Sequence, residues 1–269
     1  MRRNLKRIVS IVLVAVMVLS TMAIATVSAF AESMKATYTV EVSTSGSDGC
    51  TADMIYLEVI GEINGEEYST DYHYCAHFGY HKTDRITFSD DNIGSLQGVT
   101  VKKAGVNGWY PNYFRVTKTV AGKSETVTVY GGKWVENTEP VTFSKDDNVY
   151  KVDMKTSNEK GAGTDSNVYF SLIDKKDKET TSLNASSIHP SSNAFEKGDF
   201  ASFYVSVPDY FGKMDKIRVE LGAWTAGAPW KLEYFNVTKV SGTEDDLNVT
   251  HTSTVNQEFE PNSSFAWSL

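Results

Sequence analysis

The chain has 269 residues, 41% of them hydrophobic and 22% charged, with 19 Gly, 6 Pro and 2 Cys, which excludes a collagen-like, coiled-coil or disordered chain and a disulfide-dense mini-scaffold. The formal net charge is −8, and an acidic chain without a basic run is a poor fit to nucleic acid, or to anionic lipid held by charge alone. Aromatic residues make up 12%, including 14 Tyr, a bias that suits β-structure with binding surfaces better than helical bundles.

The first element is an address. Met1 to Arg7 carries four bases and no acid, Ile8 to Val27 is mostly apolar, and Ala29 and Ala31 form an A-x-A site. This is the pattern of a signal peptide spanning 1–31, cut after Ala31 and before Glu32, in a style that suits a bacterium. An uncleaved anchor is the alternative, because the apolar run nearly reaches spanning length. No Cys stands near the cut, so a lipoprotein is not expected, and the mature chain is expected to be secreted. Tyr38–Ser43, Met54–Ile60 and Arg85–Phe88, then Val149–Thr156, Phe203–Val207 and Lys216–Leu221, alternate apolar and polar residues over strand lengths. Gly61-Glu62-Ile63-Asn64-Gly65 reads as a turn, and no segment offers a long, capped helical stripe.

The segments recur. Thr51–Leu57 resembles Thr164–Phe170 at an offset of 113, Asp91–Val101 resembles Asp209–Val219 at 118, and Trp109–Lys118 resembles Trp230–Lys239 at 121. Tyr38–Val42 and Tyr150–Met154 open the two stretches. Four matches in the same order imply an internal duplication with small loop insertions. The expected division is 36–147 and 148–269, with the boundary near Lys145–Asn148. Each unit is long enough for a sandwich of about eight short antiparallel strands with its own core.

Unit 2 resembles the PLAT (lipoxygenase homology) domain family through an ordered set of motifs. These are Tyr150-x-Val152-x-Met154, Gly161-Ala162-Gly163-Thr164-Asp165-x-Asn167-Val168-Tyr169, Phe195-Glu196-x-Gly198, Gly212-x-x-x-Lys216-Ile217-Arg218-Val219 and Trp230 with Asn236-Val237. Unit 1 carries the pattern in weaker form: Asp48-Gly49-Cys50-Thr51-Ala52-Asp53 replaces the glycine-rich stretch, and it has no convincing Phe-Glu-x-Gly. The resemblance implies an all-β fold of two tandem PLAT-like sandwiches and a module that binds a lipid surface or a protein, often with calcium, and does not itself catalyse.

The resemblance also implies candidate sites. In unit 2 the calcium ligands would be carbonyls near Gly161 and Gly163, with Thr164, Asp165 and Asn193; Gly161 and Ala228 stand where the family has acids. In unit 1 the corresponding candidates are Asp48, Thr51 and Asn107. A hard cation needs several oxygens from such loops; otherwise Thr164 and Asp165 only stabilise a tight turn. The offsets align Cys50 with Gly163 and Cys75 with Asn193, so a Cys50–Cys75 disulfide is expected to staple unit 1 in the exported setting. It would contribute about 3 kcal/mol for its loop length. Two separate thiols are the alternative. Trp224 and Thr225 lie in a small-residue stretch before Trp230 and are candidates for a membrane or partner contact, since an amphipathic Trp ring favours a lipid interface; packing on the sandwich rim is the alternative. Trp109 and Trp230 read as structural. His73, His77 and His81 are spaced for a metal only on a helix, and the surrounding Gly79 and aromatics read as a loop.

No nucleophile elbow, zinc-protease His pair or Walker loop occurs, so the chain is expected not to be an enzyme. The expected function is secreted recognition of a membrane lipid surface or an extracellular protein through the loops. A carbohydrate-binding or adhesin-type sandwich is the alternative, with exposed Tyr or Trp on a sheet face stacking a glycan.

Overall fold

The computed structural model describes residues 34–269 except 47–48, 80–81, 192, 223–228 and 243–246. The expected leader 1–31 and the cleavage point therefore lie outside the described residues. Strands follow from two-residue alternation. In β1 (Lys35–Thr44), Ala36, Tyr38, Val40 and Val42 are buried while the residues between them face outward. The other strands of the first half are β2 (Thr51–Ile63), β3 (Glu66–Ser69), β4 (His73–Phe78), β5 (Thr83–Asp91), β6 (Ser95–Ala104), β7 (Pro111–Val120), β8 (Lys123–Tyr130) and β9 (Val141–Ser144). The second half holds β10 (Val149–Thr156), β11 (Val168–Asp174), β12 (Leu183–Asn184), β13 (Phe200–Ser206), β14 (Met214–Leu221), β15 (Trp230–Ser241), β16 (Thr250–Phe259) and β17 (Ser264–Ser268).

The fold is all-β. In the first half, sheet β5-β1-β7-β8 faces sheet β3-β2-β6-β9, to which β4 adds along β2. In the second half the sheets run β13-β10-β15-β16 and β12-β11-β14-β17. The orders correspond strand for strand when β4 is set aside, and every pairing is antiparallel. Each half encloses its own apolar cluster, one around Val40, Leu57, Val101 and Phe114, the other around Val152, Phe170, Ile217 and Phe235. No helix among the described residues is long and apolar enough to cross a membrane.

Two details depart from the sequence reading. The expected Gly61–Gly65 turn contracts to Asn64-Gly65, both at positive φ (56° and 84°), because β2 stays paired with β3 as far as Ile63 opposite Glu66. An Asn-Gly pair matches the twist of a two-residue hairpin. The part of the histidine segment that holds His73 and His77, read as a loop, forms β4 along β2, while His81 lies outside the described residues. There His73 stacks on Phe88 with ring centroids 3.7 Å apart and sets Nε2 3.0 Å from Asp90 Oδ2.

The two halves are also joined. Tyr110 belongs to the first half by sequence, yet it packs into the apolar cluster of the second half and donates its hydroxyl to Tyr204 O at 2.6 Å. Gly46 N donates to Ile188 O at 3.0 Å and Ser206 N to Gly132 O at 2.8 Å. The Tyr130 and Tyr204 rings stack at 5.4 Å.

Candidate functional site

The site is built on one end of the second half, over a buried indole. Trp230 is fully buried at the start of β15 and donates Nε1–H to Thr156 Oγ1 at 3.0 Å. Phe195 meets it edge-on at 5.2 Å. Phe195 holds φ 58°, a left-handed conformation that costs a non-glycine residue about 1 kcal/mol or more. The surroundings enforce it: Phe195 N donates to Asp199 Oδ2 at 3.0 Å, and Phe195 O accepts from Thr164 N at 3.3 Å.

That last bond ties the 161–165 loop to the 195–198 segment. Gly163 lies so close that a Cβ there would stand 2.9 Å from Lys197 N. Gly161 supplies the turn at φ 79°. Thr164 Oγ1 accepts from Ser166 N at 3.1 Å and fixes the step into β11. Two open clefts result. One, of about 230 Å³, is lined by Thr164, Asp165, Ser166, Asn167, Ser186, Ser187, Asn193 and Ala194. The other, of about 200 Å³, is lined by Gly161, Gly163, Thr164, Asp165, Glu196 and Lys197.

All five unit 2 candidates from the sequence, Gly161, Gly163, Thr164, Asp165 and Asn193, therefore meet at one end. Trp224 and Thr225 lie outside the described residues. The sequence reading missed Ser166, Ser186 and Ser187. Ser166 is 3% exposed, and its Oγ is buried behind the cleft wall without a hydrogen-bond partner among the described residues. The first cleft is lined by hydroxyls, amides and the exposed carboxylate of Asp165, and the second adds the exposed carboxylate of Glu196 and the ammonium of Lys197. Among the described residues no group of three or more His, Cys, Asp or Glu is placed to hold a metal ion. In the first cleft one carboxylate with neutral oxygens fits a loosely held cation better than a tight one, and in the second the Lys197 ammonium offsets the added Glu196, since calcium affinity follows ligand charge.

The corresponding end of the first half is built on the same plan and closed differently. Trp109 is fully buried, bonds Thr44 Oγ1 at 3.2 Å, and stacks on Phe78 at 5.0 Å. Phe78 thus covers Trp109 as Phe195 covers Trp230. Its offset of 117 lies within the drift of the repeat and was the available signal for a counterpart to Phe195. Thr51 Oγ1 accepts from Asp53 N at 3.1 Å, and Asn107 N donates to Asp53 Oδ2 at 2.9 Å. Thr51 and Asn107 are brought together through Asp53, while Asp48 lies outside the described residues. Between them Lys103, with no exposed side-chain surface, sets Nζ 3.1 Å from Asp53 Oδ2 and 2.9 Å from Gly105 O. A buried ammonium fills this end.

The expected disulfide is not formed: Cys50 and Cys75 are not joined to each other. The β2–β4 ladder sets Thr51 opposite Phe78 and Ile55 opposite Ala76, so the two cysteines stand at different levels of the sheet, beyond the short reach of a disulfide. Cys75 turns into the core and donates Sγ–H to His73 O at 3.2 Å. Burial pushes its thiol up to about 12, which makes it a poor nucleophile.

No curated protein matches the chain. Among solved structures, alpha toxin from Clostridium absonum is similar at 21% identity and a TM-score of 0.36, over 45% of this chain and 31% of that one. A LOX variant is similar at 19% identity and a TM-score of 0.35, over 43% of this chain and 17% of that one. The same variant in complex with arachidonate gives 19% and 0.35, over 42% and 17%. The chain thus spans less than a third of the length of these neighbours. Residues 150–265, which include both clefts, Trp230 and Phe195, match the PLAT/LH2 domain family.

Proposed function

We propose that the chain is an exported, non-catalytic recognition protein of two PLAT-like sandwiches, divided near residue 147, and that its second half docks on a lipid surface or an extracellular protein partner. The observation that carries this reading is the contrast between the two loop ends. The end around Thr164, Asp165 and Asn193 is open, with the polar cleft that they line lying within the segment matched to the PLAT/LH2 family. Its counterpart is filled by Lys103, and the neighbouring Gly46 and Tyr110 contact the second half. The second half is therefore the unit that binds. The absence of catalytic motifs from the sequence supports a non-enzymatic role. Calcium enters as a weak ligand of the open end, held by Asp165 and the surrounding neutral oxygens.

Flotation of residues 32–269 with neutral and anionic liposomes, with calcium and with chelator, tests the reading. Wild type is expected to float, Trp224→Ala and Asp165→Ala to float less, and calcium to strengthen binding only while Asp165 is present. No flotation under any condition would remove the lipid arm, and cross-linking to co-exported proteins would then decide the protein arm. Flotation unchanged in both variants would move the site away from this loop end.

A further inference from the structure

A second surface lies on the first half, away from the loop clefts, and the inference from it does not rest on the reading above. The outer face of the sheet carrying β4, β2, β6 and β9 holds a row of side chains in strand register: Tyr74 opposite Tyr56, and Tyr56 opposite Lys102. The next row on the same face places Glu58 opposite Thr100, and Thr100 opposite Thr142. Alternate residues share a face and lie about 7 Å apart along a strand, close to the span of one hexopyranose ring.

The two rows are chemically complementary to a sugar. Tyr74 is 54% exposed at its place on β4, an uncommon position for a large ring on a sheet that already has a closed core beneath it. Its centroid lies 5.7 Å from that of Tyr56, at an interplanar angle of 53°. Glu58 lies beside the Tyr72 hydroxyl, and Lys102 Nζ sits 4.6 Å over the Tyr72 ring. Thr100 and Thr142 share a hydroxyl bond of 3.0 Å. An aromatic face is thus bordered by one acid, one base and the exposed Thr142 hydroxyl, backed by the buried Thr100, and the charges of Glu58 and Lys102 sum to zero. An anionic headgroup or a nucleic acid calls for a basic excess that this face lacks. A neutral polyol with one flat C–H face and equatorial hydroxyls uses every group: the C–H face on the ring, and the vicinal hydroxyls on carboxylate, ammonium and threonine.

We propose that this face binds a β-linked polysaccharide, with Tyr74 as the stacking platform and Glu58, Lys102 and Thr142 as hydrogen-bonding partners. Affinity electrophoresis of residues 32–269 in gels containing hydroxyethylcellulose, glycol chitin or β-1,4-xylan tests it. At least one polymer is expected to retard the wild-type chain. Tyr74→Ala should weaken retardation by about fivefold, the worth of one aromatic stack, while Tyr74→Phe keeps it. Tyr74→Ala loses only the exposed ring contact with Tyr56, so its thermal midpoint should fall by no more than a few degrees, which separates lost binding from lost fold. Migration unaffected by all three polymers overturns the proposal, as does retardation that Tyr74→Ala leaves intact. Liposome flotation abolished by Tyr74→Ala would also overturn it and give the face to lipid; loss of loop-end binding in Asp165→Ala leaves it untouched.

Discussion

Single residues decide how each loop end behaves. Lys103 follows Lys102 in the chain, yet the two face opposite ways: Lys102 points to solvent, and Lys103 lies under the loop on Asp53. Burying an ammonium is favourable only while its partners remain, and removing one partner of a buried pair leaves the other desolvated. Lys103→Met should therefore destabilise the chain by about 3 kcal/mol, read as a lower urea midpoint. Asp174 at the end of β11 shows the opposite arrangement. Burial by itself would raise its carboxyl, but N–H donors from Gly212, Lys178 and Lys176, at 2.7–2.9 Å, hold it below the usual carboxylate range. A carboxyl depressed in the folded state contributes stability in full above its unfolded pKa, near ~3.9, and loses it as pH falls through the folded value. Asp174→Ala should flatten the acid limb of the stability–pH curve, and acid titration of the thermal midpoint checks this.

At the scale of elements, the site depends on one loop leaning on another. Gly163 admits the 195–198 segment because it lacks a Cβ. Gly163→Ala should push the two apart, break the Thr164 N to Phe195 O bond, and speed amide exchange at Thr164 while exchange in β11 and β14 stays slow. Most strands were legible because buried positions impose a two-residue period, as in Tyr38-Val40-Val42 and Tyr150-Val152-Met154, which open corresponding strands of the two halves. The inward Lys103 was legible by the same rule, since Val99, Val101 and 103 fall on one face, but a lysine at the third place reads as solvated until its partner is seen. The cysteines show the limit of alignment: correspondence with two converging loops implied a bond, and the strand register of β4 forbids it.

At the scale of the molecule, the joint between the halves is part of the fold. Tyr110 donates its phenol to Tyr204 O inside the apolar cluster of the second half, and burial holds that phenol above its ordinary range. Gly46 approaches so closely that a Cβ would stand 1.8 Å from His189 O. A joint of this kind couples the unfolding of its parts, whereas a loose linker leaves them independent. Wild type is thus expected to unfold in a single calorimetric transition, and Gly46→Ala to resolve into two.

The amino-acid order by itself determined the all-β class, the buried Trp109 and Trp230 and the grouping of Gly161, Gly163, Thr164, Asp165 and Asn193, because each follows from local alternation or from an ordered motif. Tertiary structure decided which loop end is open, which lysine is buried, that the cysteines stay apart, that Tyr110 serves the other half and that Tyr56 and Tyr74 meet on one face. Those outcomes depend on which distant segments touch, and strand register and close backbone approach carry that information where residue identity does not.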